Sequence, residues 1–156
     1  MALSGELEFD LEIKSPGRFF FEIYGTKKGN LPKMCPNIFR GIDLLEGEWG
    51  QVGCVMNGYY FIDGKEMISK DMVEGVDEEI MSITYNALEG DLMKLYKTLK
   101  FTFQIVSKNE AEFLKTIIGF EKVNEDVPIP SKLEDFVIAV TKTIDANYSS
   151  HVSNHS

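Results

Sequence analysis

Histidine is nearly absent from this chain of 156 residues: His151 and His155 are the only two, and both lie at the C-terminal end. A Ser-His-Asp or Cys-His device therefore cannot be assembled in the core, and no cluster of Cys and His offers a metal site. Cysteine is equally scarce. Cys35 and Cys54 are too few for a secreted disulfide framework and read as free thiols, with Cys54 a small core filler rather than a nucleophile. Basic charge is also short, 16 Lys and Arg against 25 Asp and Glu for a formal net charge of -9, which argues against a nucleic-acid partner and against an anionic membrane surface. No run approaches the roughly twenty apolar residues of a membrane span. The start MALSGELEFD is neither basic nor apolar, so a soluble, cytoplasmic protein is expected, and the glycosylation-like triplets Asn147-Tyr-Ser and Asn154-His-Ser are read as chance.

What the chain does have is alternation followed by one long amphipathic stretch. Leu7, Phe9, Leu11 and Ile13 alternate with Glu6, Glu8, Asp10, Glu12 and Lys14, the pattern of a half-buried strand over 6–14. Ser15-Pro16 supplies an N-cap and a first-turn proline for a short helix through Phe19 to Tyr24, ending near Gly25. A second short helix or turn fits Leu31 to Cys35. Six further strands are expected near 38–46, 53–62, 65–74, 79–88, 94–106 and 112–122, punctuated by turn residues such as Asp63-Gly64 and Lys108-Asn109-Glu110.

After Pro128-Ile-Pro130, with Ser131 able to cap, Leu133, Phe136, Val137, Val140, Ile144 and Tyr148 recur at helical spacing. A helix of that length spans roughly 27 Å and needs one large partner surface. The expected fold is therefore α+β: a strongly bent antiparallel sheet of seven strands gripping a long C-terminal helix, as one domain over 1–150 with a polar tail over 151–156.

Glu46-Gly47-Glu48-Trp49-Gly50-Gln51-Val52-Gly53 has the glycine spacing of a phosphate loop. Two carboxylates precede it and a strand follows, where a phosphate cradle wants a helix N-terminus and a lysine, so it reads as a structural hairpin. No cofactor motif is present. The remaining oddity is the apolar inventory of eleven Phe, six Tyr and seven Met. One helix cannot fill the concave side of a bent seven-stranded sheet, so a cavity of several hundred Å³ is expected, roughly the usual range for small-molecule sites. Met34, Met56, Met67 and Met72 would suit a wall that adapts to varied apolar ligands.

Five segments carry a family resemblance across nearly the whole chain: Ala2-Leu-Ser-Gly-Glu-Leu, Glu46-Gly47-x-Trp49, Asp63-Gly-Lys, Ile83-Thr with Glu89-Gly-Asp-Leu, and Phe120-Glu-Lys-x-Asn-Glu-Asp-Val-Pro128. Together they resemble the plant major latex proteins, of the birch-pollen-allergen superfamily of pathogenesis-related proteins. The resemblance implies a helix-grip fold, with two short helices in a V after the first strand and the last helix closing a hydrophobic cavity. It also implies binding of apolar plant metabolites such as hormones, sterols, terpenoids or alkaloids, with a role in plant defence or specialised metabolism. A minority of such proteins resemble cofactor-free enzymes that cyclise or isomerise alkaloid or iridoid intermediates, and that alternative stays open. The family usually places an aromatic ring in the third and seventh strands, where this chain has Gly58 and Thr116. If both face inward, two rings are missing from the cavity wall.

The expected wall comprises Phe20, Tyr24, Met56, Gly58, Tyr60, Ile68, Ile83, Tyr85, Leu99, Phe101, Thr116, Ile118, Phe136, Val137, Val140 and Ile144. The expected partner is a small apolar metabolite. Should the protein be an enzyme, Tyr60 and Tyr85 are the candidate catalytic donors, inward-facing phenols able to hydrogen-bond a carbonyl or enolate oxygen.

Overall fold

In the computed structural model, which describes residues 2–155 and side chains as far as Tyr148, the strands are β1 (Ser4–Ile13), β2 (Phe39–Glu46), β3 (Val55–Ile62), β4 (Lys65–Asp77), β5 (Ser82–Gly90), β6 (Tyr96–Lys108) and β7 (Ala111–Lys122). They form one antiparallel sheet in the order β1-β7-β6-β5-β4-β3-β2, so consecutive strands pair and β1 closes onto β7. The helices are α1 (Gly17–Tyr24), α2 (Leu31–Met34) and α3 (Ser131–His155). This is the expected seven-stranded fold with a long C-terminal helix.

The turns explain the registers. Asp63 and Gly64 take positive φ of 53° and 74°, a conformation that matches the right-handed twist of the flanking strands and joins β3 to β4 with only two residues. Asn109 and Glu110 do the same between β6 and β7. The glycine-rich loop is structural: Gly47, Gly50 and Gly53 all have positive φ, and a Cβ on Gly50 would stand 2.7 Å from the Thr26 backbone nitrogen. Only glycine lets the loop press against the chain leaving α1.

Ser15 does not cap α1. Its backbone N–H, 2.8 Å away, and its hydroxyl both donate to the Asp145 carboxylate on α3, while the Gly17 N–H at the start of α1 donates to Glu112 Oε1 at 2.9 Å. The helix end is capped in trans, and the serine becomes a tie to α3. Asn147 Nδ2 adds a bond of 3.0 Å to the Met34 carbonyl of α2. The stripe Leu133, Val137, Val140 and Ile144 is buried as its spacing demands. The helix itself runs on to His155, through most of the segment expected as a polar tail, because nothing after Tyr148 breaks it. Ser156 lies outside the described residues.

The interior divides into two packed clusters. Ala87, Tyr96, Leu99, Ile118, Phe120, Val127 and Leu133 form one, beneath the start of α3. The larger joins α1, α2, the middle of the sheet and the rest of α3.

Candidate functional site

A cavity of about 100 Å³ lies between the concave face of the sheet and α3. It is smaller than the several hundred Å³ expected from the sequence, and the reason is ring packing. Phe39, Tyr60 and Phe136 meet pairwise with centroids 5.2 to 6.3 Å apart, and Tyr24 stacks on Phe103 at 4.4 Å. Aromatic side chains have closed most of the space that one helix leaves open.

Strand alternation decides who reaches the cavity. Met56, Gly58 and Tyr60 on β3 line it, as do Tyr85 on β5, Leu99 and Phe101 on β6, Tyr24 on α1, and Phe136, Val137 and Val140 on α3. A Cβ on Gly58 would meet nothing closer than Ser69 Oγ at 3.5 Å, so this position opens directly onto the space. Of the four methionines singled out for plasticity, Met56 alone borders the cavity, and Met93 joins it.

Six of the expected wall residues lie elsewhere. Ile68 is on the outer face and 47% exposed: Tyr60 pairs with Met67, so Ile68 pairs with the outward Tyr59. Thr116 is fully enclosed between Phe9 of β1 and Phe103 of β6, away from the cavity, and its Oγ1 has no hydrogen-bond partner among the described residues. Ile118 belongs to the cluster under the start of α3. Phe20 packs against Phe19 and Tyr24 beneath α1. Ile144 sits one turn beyond Val140 in the larger cluster. Ile83 lines a separate outer depression of about 240 Å³, which Arg18, Glu22, Thr26 and Glu78 make more polar.

Sequence reasoning missed the polar end of the cavity. β4 turns Ser69 and Asp71 inward opposite Gly58 and Met56, with Ser69 Oγ donating to Asp71 Oδ2 at 3.0 Å. From the 3-10 turn Lys28–Asn30 that leads into α2, Lys28 reaches the same space and sets its Nζ 3.5 Å from the centroid of the Tyr85 ring. Part of Lys28 remains at the surface while its ammonium end is enclosed.

Burial dominates the electrostatics here. It pulls the Lys28 amine down from the ordinary 10.5 to about 8, against the opposing pull of Asp71 and Cys54. It pushes the Asp71 carboxyl up, held back by Lys28 and the Ser69 hydrogen bond. Tyr60 is pushed up to about 12 and Tyr85 well above the usual phenol range, again by desolvation first. Both phenols stay protonated as donors. The Tyr85 hydroxyl already donates to the Tyr24 carbonyl, and the Tyr24 hydroxyl shares a 3.2 Å bond with Thr141 Oγ1 on α3. Among the described residues no group of His, Cys, Asp and Glu could hold a metal ion.

Residues 2–151 match the pathogenesis-related protein Bet v 1 family. The chain is 35% identical over 146 residues to MLP-like protein 43 of Arabidopsis thaliana, covering 92% of each. It spans 44% and 45% of the length of two further Arabidopsis relatives, MLP-like proteins 28 and 34. In structure it is similar to ginseng major latex-like protein 151 from Panax ginseng, with a TM-score of 0.91 and 38% identity over 94% of this chain and 98% of that one. Its fold is also that of norcoclaurine synthase from Thalictrum flavum in complex with dopamine and hydroxybenzaldehyde, at a TM-score of 0.68 and 17% identity over 90% and 86% of the two chains.

Proposed function

The chain belongs to the pathogenesis-related protein Bet v 1 family and is a major latex protein-like member of it, and from that premise we propose that it takes up a small, mostly apolar plant metabolite of the terpenoid, alkaloid, sterol or hormone class in its central cavity. The observation that carries this reading is the chemical asymmetry of the space: a wall of aliphatic and aromatic side chains, with Lys28, Ser69 and Asp71 at a polar end and the largely exposed Glu89, paired with Lys70, also on its border. An apolar wall supplies affinity through desolvation, and a few polar groups fix orientation. Because the empty cavity is small, ligand entry requires the Phe39, Tyr60 and Phe136 rings to move, and the free energy of that repacking is subtracted from affinity. We infer a cytoplasmic carrier of one domain; among the described residues no helix is long and apolar enough to cross a membrane.

The alternative, a cofactor-free cyclase or isomerase, is favoured by one specific feature. An amine, a carboxyl and three protonated phenols border a space walled mostly by apolar side chains, where positioned donors act more strongly on a developing charge than they do in water. Native mass spectrometry after incubation with fractionated plant extract tests the uptake itself. Retention of one apolar compound per chain is expected, and retention of none, or of polar compounds only, contradicts it.

A further inference from the structure

Lysines on short turns normally extend into solvent. Lys28 instead carries its amine into the cavity, and among the described residues it forms no ion pair. It rests over the Tyr85 ring, and that ring is fixed by the bond from its hydroxyl to the Tyr24 carbonyl. Asp71 faces the same space but spends one carboxylate oxygen on Ser69. A buried amine held by a π face, rather than neutralised by a carboxylate, is a costly arrangement for a core that only needs filling. It gains nothing for packing that a methionine would not give.

We propose that Lys28 is a nucleophilic amine that condenses with an apolar aldehyde seated in the cavity, with Asp71 as its proton relay. The assignment rests on the cavity-binding reading above and narrows its ligand to a carbonyl compound. The neutral Nζ adds to the carbonyl carbon, forming the C–N bond while the C=O electron pair moves onto oxygen; the Asp71 carboxylate takes a proton from the nitrogen and passes it to that oxygen, which becomes a hydroxyl. That oxygen then departs as water, so that over the whole step the two amine hydrogens and the carbonyl oxygen leave together and an imine remains. No oxidant, reductant or metal enters. Protonation of the imine makes the neighbouring C–H acidic, which is the electronic requirement for isomerising or cyclising such a substrate.

Three features favour this chemistry at Lys28 over any surface lysine. The amine is neutral in a larger fraction near physiological pH, because desolvation outweighs the opposing influence of Asp71 on β4 and of Cys54, just before β3. The two phenols near it, Tyr85 on β5 and Tyr24 on α1, stay protonated and place no negative charge beside it. The apolar wall concentrates the aldehyde against the amine.

The experiment uses octanal with sodium cyanoborohydride, which reduces the imine and leaves one octyl group on the amine, read by peptide mapping. Lys28 should be labelled at least tenfold faster than any surface lysine. Octan-1-ol should bind by displacement of an apolar fluorophore and should protect Lys28 alone. The labelling rate of Lys28 should climb with pH and level off above about 8, whereas surface lysines keep climbing towards about 10.4. Lys28→Arg, which keeps the charge but cannot condense, should lose the fast phase, with cooperative unfolding in urea as the check that the chain still folds. If octan-1-ol binds yet Lys28 is labelled no faster than surface lysines, the amine assignment is wrong and the cavity reading survives. If octan-1-ol neither binds nor protects, both are wrong.

Discussion

Gly58 and Thr116 occupy equivalent predicaments and resolve them in opposite ways. Each is a small residue on the concave face of the sheet where the family resemblance leads us to expect a ring. At Gly58 the missing side chain leaves space: the position borders the cavity and is flanked by Ser69 and Tyr60 rather than filled by them. At Thr116 the neighbours have closed in until the residue is fully enclosed and its hydroxyl is left without a partner among the described residues. The sheet is thus solid along β1, β7 and the adjoining part of β6, and hollow along β3, β4 and β5. A small residue makes a pocket only where the helix opposite cannot follow it inward.

The sharpest way to break that contrast is to put a ring on each side. Thr116→Trp forces an indole into filled space and should cost about 3 kcal/mol or more, read as a lowered midpoint in urea with an unchanged slope. A loss under about 1 kcal/mol would mean that the β7 side also hides room.

Next comes the polar end. Lys28 has a folded-state pKa below its unfolded one, so the unfolded chain binds a proton that the folded chain resists. Its destabilising effect is absent above about pH 10.5, grows as pH falls towards 8, and is constant below. Lys28→Met should therefore stabilise the protein at neutral pH by about 1 to 3 kcal/mol, less whatever Asp71 loses with its nearby cation. The gain should vanish near pH 10.5. A destabilised Lys28→Met at pH 7 would show that the amine is a structural member after all.

On the hollow side Gly58→Leu should act on binding rather than folding. Its side chain enters the cavity, so apolar ligands should bind about tenfold or more weakly, near 1.4 kcal/mol, while stability stays level or rises slightly because glycine leaves a strand. The smallest effect is expected at Thr116→Val, which removes the orphaned hydroxyl at nearly constant volume and should raise stability by about 1 kcal/mol, measured by chemical denaturation.

How much of this was legible in the sequence can be argued from β4. The alternation of β1, the turn residues and the α3 stripe point to the strands and the long helix, since each depends on local pattern alone; the pairing of β1 with β7 does not. The cavity face of β4 was equally encoded: a two-residue turn at Asp63-Gly64 pairs Ile62 with Lys65, so an inward Tyr60 requires inward Met67, Ser69 and Asp71, and an outward Ile68. Apolar character favours Ile68, but register overrides it. Lys28 left no such trace, because the path of the turn between α1 and α2 is set by contacts with the glycine loop far along the chain, including the close approach of Gly50 to Thr26. Cavity volume was illegible for a related reason. It depends on how Phe39, Tyr60 and Phe136 choose rotamers against one another, which no spacing specifies.

The central claim is that the hollow side of the sheet, and not the larger outer depression beside α1, receives the ligand. A crystal structure of the protein with octan-1-ol tests it most directly. The account predicts the alkyl chain against Gly58, Val137 and Phe136 with its hydroxyl turned towards Lys28 and Asp71, and the Phe39, Tyr60 and Phe136 rings displaced to admit it. Density for the alcohol beside Arg18, Glu22 and Ile83, with the central rings unmoved, would contradict it.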